Sequence, residues 1–407
     1  MNTVNQDFGK KKYITAQEGT VKFFLHEIDD NIIPSKSMNV FYNKRMEINR
    51  DISILAVLAY SQLYNQNPLV VIDSMSASGI GSIRMLKSLN NIEKIYLNDI
   101  NPTAIELIKK NLELNDIKSE RVEVTNKDAN LLFLEISRSS NLPDVISIDP
   151  FGTPNLYVDS ALKSIKKDNG LLCITATDTA VLFGIKPRVC VRKYMANPLH
   201  TDYCKEIGAR ILLSFLMRIA HINNIGLNPL FTLYSNHFIR IFAVTFKGKS
   251  KILKSLPKSY GYLIHCKNCG NRLSYIENII KSPQKCPLCL SEKHLSYSGP
   301  LWAGELHQKS YLKELHLLNE KFNFKNKNRI NKILNFALNE VNMPISYYNI
   351  HKLSQHLKLS YIPKLEDIIT KIQEKGYRAS RTHFDFISIK TDMNIYELKE
   401  LLKQNGN

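Results

Sequence analysis

Four apolar segments in the first half of the chain each end in an aspartate, and this repetition limits the folds open to the chain more than any other feature. The acids are Asp73 or Asp99, then Asp128, Asp149 and Asp178. Predicted helices separate the segments, which is the pattern of parallel strands joined by crossovers. The carboxyl ends of parallel strands lie along one edge of a sheet, where ligands bind. We therefore predict a doubly wound α/β domain with a ligand site at this edge.

The segment from Asp144 to Pro154 carries the most specific of these strand ends. Its apolar run stops at Asp149, and Pro150 and the aromatic Phe151 follow directly. The proline fixes φ and removes a backbone donor, so the carboxylate and the ring are held on a stiff turn. An acid that accepts N–H hydrogens and an aromatic face that stacks can hold a nucleobase removed from its stack. A strand end followed by an ordinary turn is the competing interpretation.

A turn of small residues after the first predicted strand, Leu69–Asp73, indicates a cofactor loop. The turn spans Ser74 to Gly81, and small residues let backbone N–H groups approach a ligand closely. Its short Gly-x-Gly does not distinguish a dinucleotide from S-adenosylmethionine. Asp99 lies about twenty residues further on, where an acid can bond ribose hydroxyls. Asp128 closes the third strand and either reads an adenine amino group or simply caps the next helix.

Two arginines, Arg45 and Arg50, lie at the start of an apolar helix predicted over Ile52–Tyr64. Cations at a helix start oppose the helix dipole, and such local conflicts tend to mark function. A guanidinium that clamps a carboxylate is the functional interpretation, and a solvated surface arginine is the alternative.

The charge balance of the chain points to a polyanionic partner. Lysine and arginine number 55 against 37 acids, which gives a formal net charge of +18. Nucleic acid is the first candidate for a protein with such a surplus. Residues 178–200 show no regular periodicity, and we predict there a long loop that grips phosphates or closes over the substrate. Its basic residues are Lys186, Arg188, Arg192 and Lys193.

Four of the seven cysteines form two close pairs that predict a zinc site. Cys266 and Cys269 are separated by sixteen residues from Cys286 and Cys289. This spacing is typical of a four-thiolate site, and a ribbon this small needs the metal in order to fold. Four thiolates leave no open coordination position, so we expect the zinc to be structural. Cysteines used in this way also indicate a reducing, intracellular compartment.

The chain is expected to contain two domains and no membrane segment. No apolar run approaches the length of a membrane span, and the polar start of the chain, with lysines at 10–12, is unlike a secretory signal. We place the cofactor domain with its N-terminal extension at 1–250, and an α+β C-terminal domain at 251–407. The second begins with a lysine-rich linker, contains the zinc ribbon at 262–296, and ends in either a winged helix or a helical cap.

These motifs together resemble the tRNA guanine-N2 dimethyltransferases that act on guanine 26, a family of Rossmann-like class I enzymes that use S-adenosylmethionine. The resemblance covers nearly the whole chain. The segments that carry it are Phe41–Asp51, Asp73–Arg84, Leu97–Asp99, Asp128–Asn130, Asp149–Pro154, Thr175–Asp178, Gly299–Gly304 and Gly376–Phe384.

The resemblance implies a function and a set of site residues. Asp149 and Phe151 would hold the guanine as catalytic residues, and two methyl groups would be transferred to its N2. The implied cofactor-binding residues are Arg50, Asp73, Ser78, Gly79, Arg84, Asp99, Asp128 and Ala129. We further expect tRNA as the partner, S-adenosylmethionine and structural zinc as cofactors, and a cytoplasmic monomer that needs no protein partner.

Two features depart from the family pattern. The family often has an arginine two residues after the loop glycine, and here that residue is Gly81, so its contact passes to Arg84 or is lost. The four cysteines occur in only part of the family. Two other functions stay open: an adenine-N6 methyltransferase of RNA or DNA, and a non-catalytic nucleic-acid-binding protein with a vestigial Rossmann domain. The first has a similar strand-end turn, but Phe151 and Gly152 replace its proline and aromatic residue.

Overall fold

The computed structural model describes residues 6–8, 11–26, 38–117, 119–276 and 283–406. Lys10 of the lysine triplet and residues 277–282 of the predicted ribbon lie outside the described residues. The chain forms two compact units. The first comprises Met1–Thr177, Arg240–Phe246 and Lys313–Asn331, and the second comprises Asp178–Ile239, Lys247–Leu312 and Lys332–Asn407.

The first half of the chain alternates strands and helices after three N-terminal strands. In chain order the elements are β1 (Gln6–Phe8), β2 (Lys11–Glu18), β3 (Val21–His26), α1 (Glu47–Leu63), β4 (Leu69–Asp73), α2 (Ile80–Ser88), β5 (Ile92–Asn98), α3 (Pro102–Leu114), β6 (Val122–Thr125), α4 (Ala129–Ile136), β7 (Val145–Ile148), α5 (Val158–Ser164) and β8 (Leu171–Ala176).

The second half is richer in helices and short strands. Its elements are α6 (Thr179–Leu182), α7 (Pro187–Tyr194), α8 (Cys204–Ile222), β9 (Gly226–Ser235), β10 (Phe238–Phe246), α9 (Lys249–Ser255), β11 (Gly261–Cys266), β12 (Arg272–Tyr275), β13 (Leu295–Leu301), α10 (Lys309–Lys321), α11 (Lys327–Asn339), β14 (Tyr348–Asn349), α12 (Ile350–His356), α13 (Leu365–Glu374), β15 (Ala379–Arg381), β16 (Ser388–Thr391) and α14 (Ile395–Gly406).

The central sheet has seven strands in the order β6-β5-β4-β7-β8-β10-β9. β4 pairs in parallel with β5 on one side and with β7 on the other, so the direction of the strand order reverses between β4 and β7. The predicted Rossmann-like architecture is therefore confirmed. Ligands of such sheets bind beyond the carboxyl ends of the strands at the reversal, which here lies beside Asp73 and the turn that follows Ile148.

Local sequence explains where the elements around this edge begin. Asn101 caps α3 by accepting a hydrogen bond from the Thr103 backbone N–H at 3.0 Å, and a proline occupies the first turn. Four of the five residues of β4 are buried, as expected for a strand covered on both faces.

The N-terminal region contains more strand than its weak periodicity predicts. We expect one or two short strands there, whereas β1, β2 and β3 form a three-stranded antiparallel sheet. Buried side chains of α3 hold β3, which is an edge strand of this sheet. Phe24 donates its backbone N–H to Asn111 Oδ1 at 2.6 Å, and Asn115 Nδ2 donates to the Lys22 carbonyl at 2.6 Å.

The predicted loop over 178–200 is wrong, because the segment contains α6 and α7. Pro187 starts α7, where its missing N–H costs no hydrogen bond. Cys190 and Tyr194 are four residues apart and buried, so even this short, basic helix has an apolar stripe. The Tyr194 hydroxyl donates to Asp178 Oδ1 at 2.8 Å and anchors the end of the helix.

The C-terminal part of the second unit contains two small sheets. The strands of the cysteine-rich region have the order β12-β11-β13, and those near the end have the order β14-β16-β15. Helices α12 and α13 lie between β14 and β15 in the chain, which is the strand–helix–helix–strand–strand order of a winged helix. Among the described residues, no helix combines the length and the apolar character needed to cross a membrane.

Candidate active site

Asp149 directly follows β7, at the strand-order reversal. The register pairs Asp73 of β4 with Ser147 of β7, which places the two aspartates at neighbouring strand ends. The Asn49 amide donates to Asp149 Oδ2 at 3.4 Å, and Arg240 Nη1 lies 3.9 Å from the same oxygen. Helix α1 and strand β10 therefore both contribute polar groups that face this carboxylate.

The electrostatics of Asp149 balance burial against positive charge. Burial raises the pKa of Asp149 above 3.8, and the charge of Arg240 and a hydrogen bond from Thr175 oppose the rise. The side chain is still 32% exposed, so water moderates the effect of burial. The carboxylate is thus an acceptor that a ligand can reach and whose proton affinity exceeds that of a surface aspartate.

Phe151 presents an exposed ring beside this carboxylate, with 45% of its surface open to solvent. The ring of Phe41 meets it edge-to-face, with centroids 4.6 Å apart and planes at 83°. The turn itself is stiff. Gly152 donates its N–H to Thr177 Oγ1 at 2.7 Å, and the Thr177 N–H returns to the Gly152 carbonyl at 2.9 Å. The arrangement suits stacking against a flat ring.

Asp99 braces the small-residue loop at the end of β5. Its Oδ2 accepts the Ala77 backbone N–H at 2.8 Å, and its Oδ1 accepts that of Asn101 at 2.9 Å. Burial raises the pKa of Asp99, and these backbone hydrogen bonds oppose the rise. Each carboxylate oxygen has a second lone pair, so a half-buried Asp99 can still accept hydrogen bonds from a diol.

The loop needs a glycine at position 79 for two reasons. Gly79 has φ of +75°, and a Cβ built on it would lie 3.1 Å from Ile108 Cγ1. The neighbouring Ser78 is buried, and its carbonyl accepts a hydrogen bond from Asn111 Nδ2 at 2.8 Å. Both residues therefore set the path of the loop into α2.

Three further predicted cofactor residues, Asp73, Asp128 and Ala129, lie at the same edge. Asp73 Oδ2 accepts the Ser82 hydroxyl at 2.6 Å. Burial raises the pKa of Asp73, Ser82 opposes the rise, and the charge of Asp149 adds to it. Asp128 caps α4 by accepting the Asn130 N–H at 2.8 Å, as its alternative interpretation predicted, and Ala129 is buried in the first turn.

Arg50 and Arg84 share one buried carboxylate, Glu18. Arg50 Nε donates to Glu18 Oε2 at 2.9 Å and its Nη2 donates to Oε1. Arg84 Nη1 donates to Glu18 Oε2 at 3.0 Å, and its Nη2 donates to Asp51. Burial alone would raise the pKa of Glu18, but the charges of both arginines overcome it and the pKa is lowered. The guanidiniums are thus held in an ion-pair network behind the loop.

The two arginines differ in what they leave for a ligand. The Arg50 side chain is 15% exposed, and among the described residues no hydrogen-bond partner faces its Nη1. The Arg84 side chain is 5% exposed, with both ends of its fork occupied. Gly81, at the position where the family often has an arginine, lies next to Arg50, because a Cβ built on it would be 3.8 Å from Arg50 Cδ. The structure brings Arg50 to the site as an accessible donor but does not do so for Arg84.

Arg240 and Glu18 contribute to the site, but the sequence does not single them out. Asn49 and Phe41 contribute as well, and they lie in the family segment Phe41–Asp51 without a role assigned to them there. Arg240 was detectable in principle, because an arginine inside the apolar strand Phe238–Phe246 must find a polar partner. The contact of Glu18 with Arg84 spans 66 residues, and no local pattern encodes it.

The four cysteines of the ribbon converge as their spacing predicts. Their Sγ atoms all lie within 4.8 Å of one another, and the Cys266–Cys289 and Cys269–Cys286 distances are 3.6 and 3.7 Å. Tetrahedral zinc with bonds of about 2.3 Å separates sulfurs by about 3.8 Å. The Asn271 N–H donates to Cys269 Sγ at 3.4 Å, as expected around thiolates. These residues fit a structural zinc ion.

The chain is similar to a defined set of known proteins. A family model described as N2,N2-dimethylguanosine tRNA methyltransferase matches residues 19–403. A tRNA (guanine(26)-N(2))-dimethyltransferase of Methanosphaera stadtmanae is 37% identical over 386 residues, which cover 95% of each chain. A relative from Aquifex aeolicus, named for guanine 26 and guanine 27, is 35% identical over 96% of this chain and 95% of its own.

A solved structure has the same fold. Trm1 from Pyrococcus horikoshii, in complex with S-adenosyl-L-methionine, superposes with a TM-score of 0.80 at 32% sequence identity. The match covers 96% of this chain and 100% of that one.

Proposed function

The chain belongs to the N2,N2-dimethylguanosine tRNA methyltransferase family, and we infer that it uses S-adenosylmethionine to methylate the exocyclic N2 of guanine 26 in tRNA, twice. One observation of the site carries this assignment. Asp149 and the exposed ring of Phe151 lie together on a stiff turn at the strand-order reversal. The relatives give no support to an adenine-N6 methyltransferase or to a non-catalytic binding protein.

The chemistry assigns Asp149 two tasks. The guanine amino group is a poor nucleophile because its lone pair is delocalised into the ring, so positioning supplies most of the catalysis. Asp149 accepts hydrogen bonds from the amino and ring N–H groups, and it takes the proton that becomes acidic after transfer. Phe151 stacks on the base, and Phe41 holds its ring from the side. When bound, S-adenosylmethionine supplies an electrophilic methyl group on a sulfonium.

The residues of the loop and strand ends fit this cofactor. Asp99 offers carboxylate lone pairs to ribose hydroxyls, and Arg50 offers its Nη1 group to a carboxylate. Asp73 and Asp128 complete the polar edge on either side of Asp99, with Ser78, Gly79 and Ala129 allowing close approach. Arg84 does not reach the cofactor itself; it holds Glu18, and Glu18 in turn positions Arg50.

We propose that residues of the second unit bind the tRNA. Its zinc ribbon and the lysine-rich segment that forms α9 carry surplus positive charge, which suits phosphate contacts. The four thiolates would give the ribbon its fold and leave no position for catalysis. We also propose that the protein acts in the cytoplasm as a monomer.

Nucleoside mass spectrometry tests the assignment. The purified protein is incubated with labelled S-adenosylmethionine and three tRNA transcripts: unmodified, with guanine 26 replaced by adenine, and with position 27 replaced. We expect N2,N2-dimethylguanosine in the first and third and none in the second. Label that depends on position 27 would add a second site, as the name of the Aquifex relative suggests for that protein. N6-methyladenosine, or no label at all, would refute the proposal.

A further inference from the structure

Arg240 is a buried charge beside the candidate site to which this mechanism gives no role. It lies in β10, whose other residues are apolar or neutral, and its side chain is 4% exposed. A buried guanidinium is unfavourable unless both its N–H groups and its charge are compensated. The groups that face it therefore show what it does.

The hydrogen bonds of Arg240 go to two neutral hydroxyls. Its Nη1 donates to Thr175 Oγ1 at 2.6 Å, and its Nη2 donates to Ser147 Oγ at 3.2 Å. Ser147 lies in β7, which leads into the Asp149 turn, and Thr175 lies in the neighbouring β8. The planar fork thus bridges two adjacent strands of the site, but two hydroxyls leave its charge uncompensated.

Asp149 provides the missing negative charge, with its Oδ2 at 3.9 Å from Arg240 Nη1. Burial raises the pKa of Asp149 and of Asp73, and the charge of Arg240 opposes the rise at both; the charge of Arg50, from α1, opposes it at Asp149 to a smaller extent. Thr175 connects the two groups. Its oxygen accepts from Arg240, so its one hydroxyl proton is left to donate, and its hydrogen bond also lowers the pKa of Asp149.

We propose that Arg240 is a positioning residue for methyl transfer: its guanidinium, acting partly through the Thr175 hydroxyl, keeps Asp149 ionised and aimed at the guanine. The proposal rests on the proposed function, in which Asp149 must be ionised to accept hydrogens from the base. Arg240 itself contacts neither the base nor the methyl donor in this scheme.

The test compares two substitutions in the full chain. Arg240→Gln removes the charge, whereas Arg240→Lys keeps it on a point that cannot bridge both hydroxyls. The readouts are thermal unfolding, calorimetric affinity for S-adenosylmethionine, and the pH profile of kcat/KM with tRNA. We expect Arg240→Gln to move the acid limb to higher pH, with activity lower by roughly tenfold or more near pH 6 and recovering at high pH. Arg240→Lys should keep the limb in place and lower kcat.

The outcomes separate a positioning role from a structural one. Folded Arg240→Gln with the pH profile of the wild type overturns the proposal, as does a large loss of cofactor affinity with an unmoved acid limb. If Arg240→Gln does not fold, Thr175→Val decides, because it removes the hydroxyl and leaves the charge. A shift in the same direction supports the proposal, and an unmoved profile overturns it. Wild-type protein that does not methylate guanine N2 refutes the proposed function first, and this inference with it.

Discussion

Two groups of polar side chains in this chain differ in what they leave available to a ligand. The first, here named the acidic edge, consists of Asp73, Asp99 and Asp149 of the first unit, all partly exposed. The second, here named the buried cluster, lies in the second unit, and its members are at most 3% exposed. They are Glu206, Arg210, Glu340, His383 and Lys390.

In the buried cluster each carboxylate faces cations. Lys390 Nζ lies 2.8 Å from Glu206 Oε1 and 3.4 Å from Glu340 Oε2, and His383 Nδ1 lies 2.6 Å from Glu340 Oε1. Burial alone would raise the pKa of Glu340, but the hydrogen bond from His383 and the charge of Lys390 overcome it and hold the pKa well below 4.5. At the acidic edge burial prevails, and all three pKa values are raised.

The opposite shifts have opposite consequences for stability. Glu340, whose pKa falls on folding, stabilises the fold above about pH 4.5 and loses this contribution as the pH falls through the folded value. The acids of the edge bind their protons more tightly when folded, so as carboxylates at neutral pH they oppose folding. A site that must receive a ligand keeps carboxylates whose charge is only partly compensated, at a cost in stability, whereas the buried cluster pairs its carboxylates closely.

His307 adjoins the buried cluster, and its ring lies with Glu340 and His383 within reach of a shared ion, the three donor atoms being within 4.8 Å of one another. The geometry favours hydrogen bonds within the protein over a metal site. In each of the two rings, one nitrogen accepts a hydrogen bond from a backbone N–H of β9 at 3.4 Å. In a metal site, the imidazole nitrogen that does not bind the metal donates a hydrogen bond instead. The Lys390 ammonium already neutralises Glu340.

The largest expected effect concerns the acidic edge. Asp149→Ala should lower methyl transfer by about 10²- to 10⁴-fold or more, because it removes both the acceptor and the base. Affinity for S-adenosylmethionine should stay within a few fold, since in the proposed function Asp149 contacts the guanine and not the cofactor. Single-turnover transfer and calorimetry measure the two effects, with Asp149→Asn as the isosteric control. Near-normal turnover in either variant would remove Asp149 from the catalytic role.

The matching change in the buried cluster should affect stability and spare the chemistry. Glu340→Gln leaves Glu206 as the one carboxylate for the buried Arg210 and Lys390, and this uncompensated positive charge should cost about 3–5 kcal/mol in the unfolding of the second unit. Trp302 is the single tryptophan and is buried in that unit, so its fluorescence in denaturant reports the loss. Asp392→Asn is the control, because it breaks an exposed pair with Arg378 and should cost less than about 1 kcal/mol.

The same variant tests the sign of the pH effect. Wild-type stability should fall on acidification below about pH 4.5, and Glu340→Gln should flatten this limb because its amide does not titrate. If the folded variant lost catalysis in proportion to its lost stability, the two regions would not be separable as described.

The zinc ribbon is the next largest effect. Metal analysis should find about one zinc ion per chain, and Cys286→Ser should abolish binding and unfold the ribbon locally. Cys204→Ser, outside the ribbon, is the control and should keep the metal. We expect Cys286→Ser to keep cofactor affinity but to lose tRNA affinity, with a shallower salt dependence. If cofactor and tRNA affinity fell together, the ribbon would be a brace; if tRNA affinity and salt slope were unchanged, it would have no part in RNA binding.

A smaller effect distinguishes residues that bind the cofactor from the residue that catalyses methyl transfer. Asp99→Ala and Arg50→Ala should each weaken S-adenosylmethionine binding by about 1–3 kcal/mol, since in the proposed function each residue is a hydrogen-bonding partner of the cofactor. Calorimetry measures it, and Asp159→Ala, which breaks an exposed pair on α5, should change nothing. Unchanged affinity in both site variants would mean that the cofactor lies elsewhere.

Much of the sheet and its edge could be predicted because parallel strands carry their signal locally. The strand Leu69–Asp73 begins and ends as predicted, since a continuous apolar run encodes it. The acids at the strand ends follow from the same pattern. Helix α7 was missed because it is short and basic: three of its eight residues are basic, and only two, Cys190 and Tyr194, are buried.

Partners distant in sequence could not be predicted. Arg240 of β10 meets Asp149 at the end of β7 because the strand order of the sheet places β7 and β10 on either side of β8. The contact between Glu340 and His383 spans 43 residues. The family motif Gly376–Phe384 marks His383 as notable but does not reveal that its role is to pair with a buried acid. Residue type and spacing thus indicate which groups carry chemistry, and only the fold shows which of them are already satisfied.

The smallest expected effect concerns the exposed face of α7. Lys186, Arg188 and Arg192 are exposed, while Lys193 lies 3.3 Å from Asp178. The helix is thus fixed by its buried side and presents guanidiniums to solvent, which is the arrangement expected for phosphate contacts in the proposed function.

Arg188→Ala and Arg192→Ala should therefore each weaken tRNA binding only a few fold at physiological salt. Each lost phosphate contact should reduce the slope of log affinity against log salt by about one, because one fewer counterion is released. Affinity for S-adenosylmethionine should not change. Lys375→Ala, an exposed lysine of the same unit, is the control and should leave the slope as it is. Equal slopes for the arginine variants and the wild type would show that the basic face of α7 is only solvated, because a charge that meets no phosphate releases no ion.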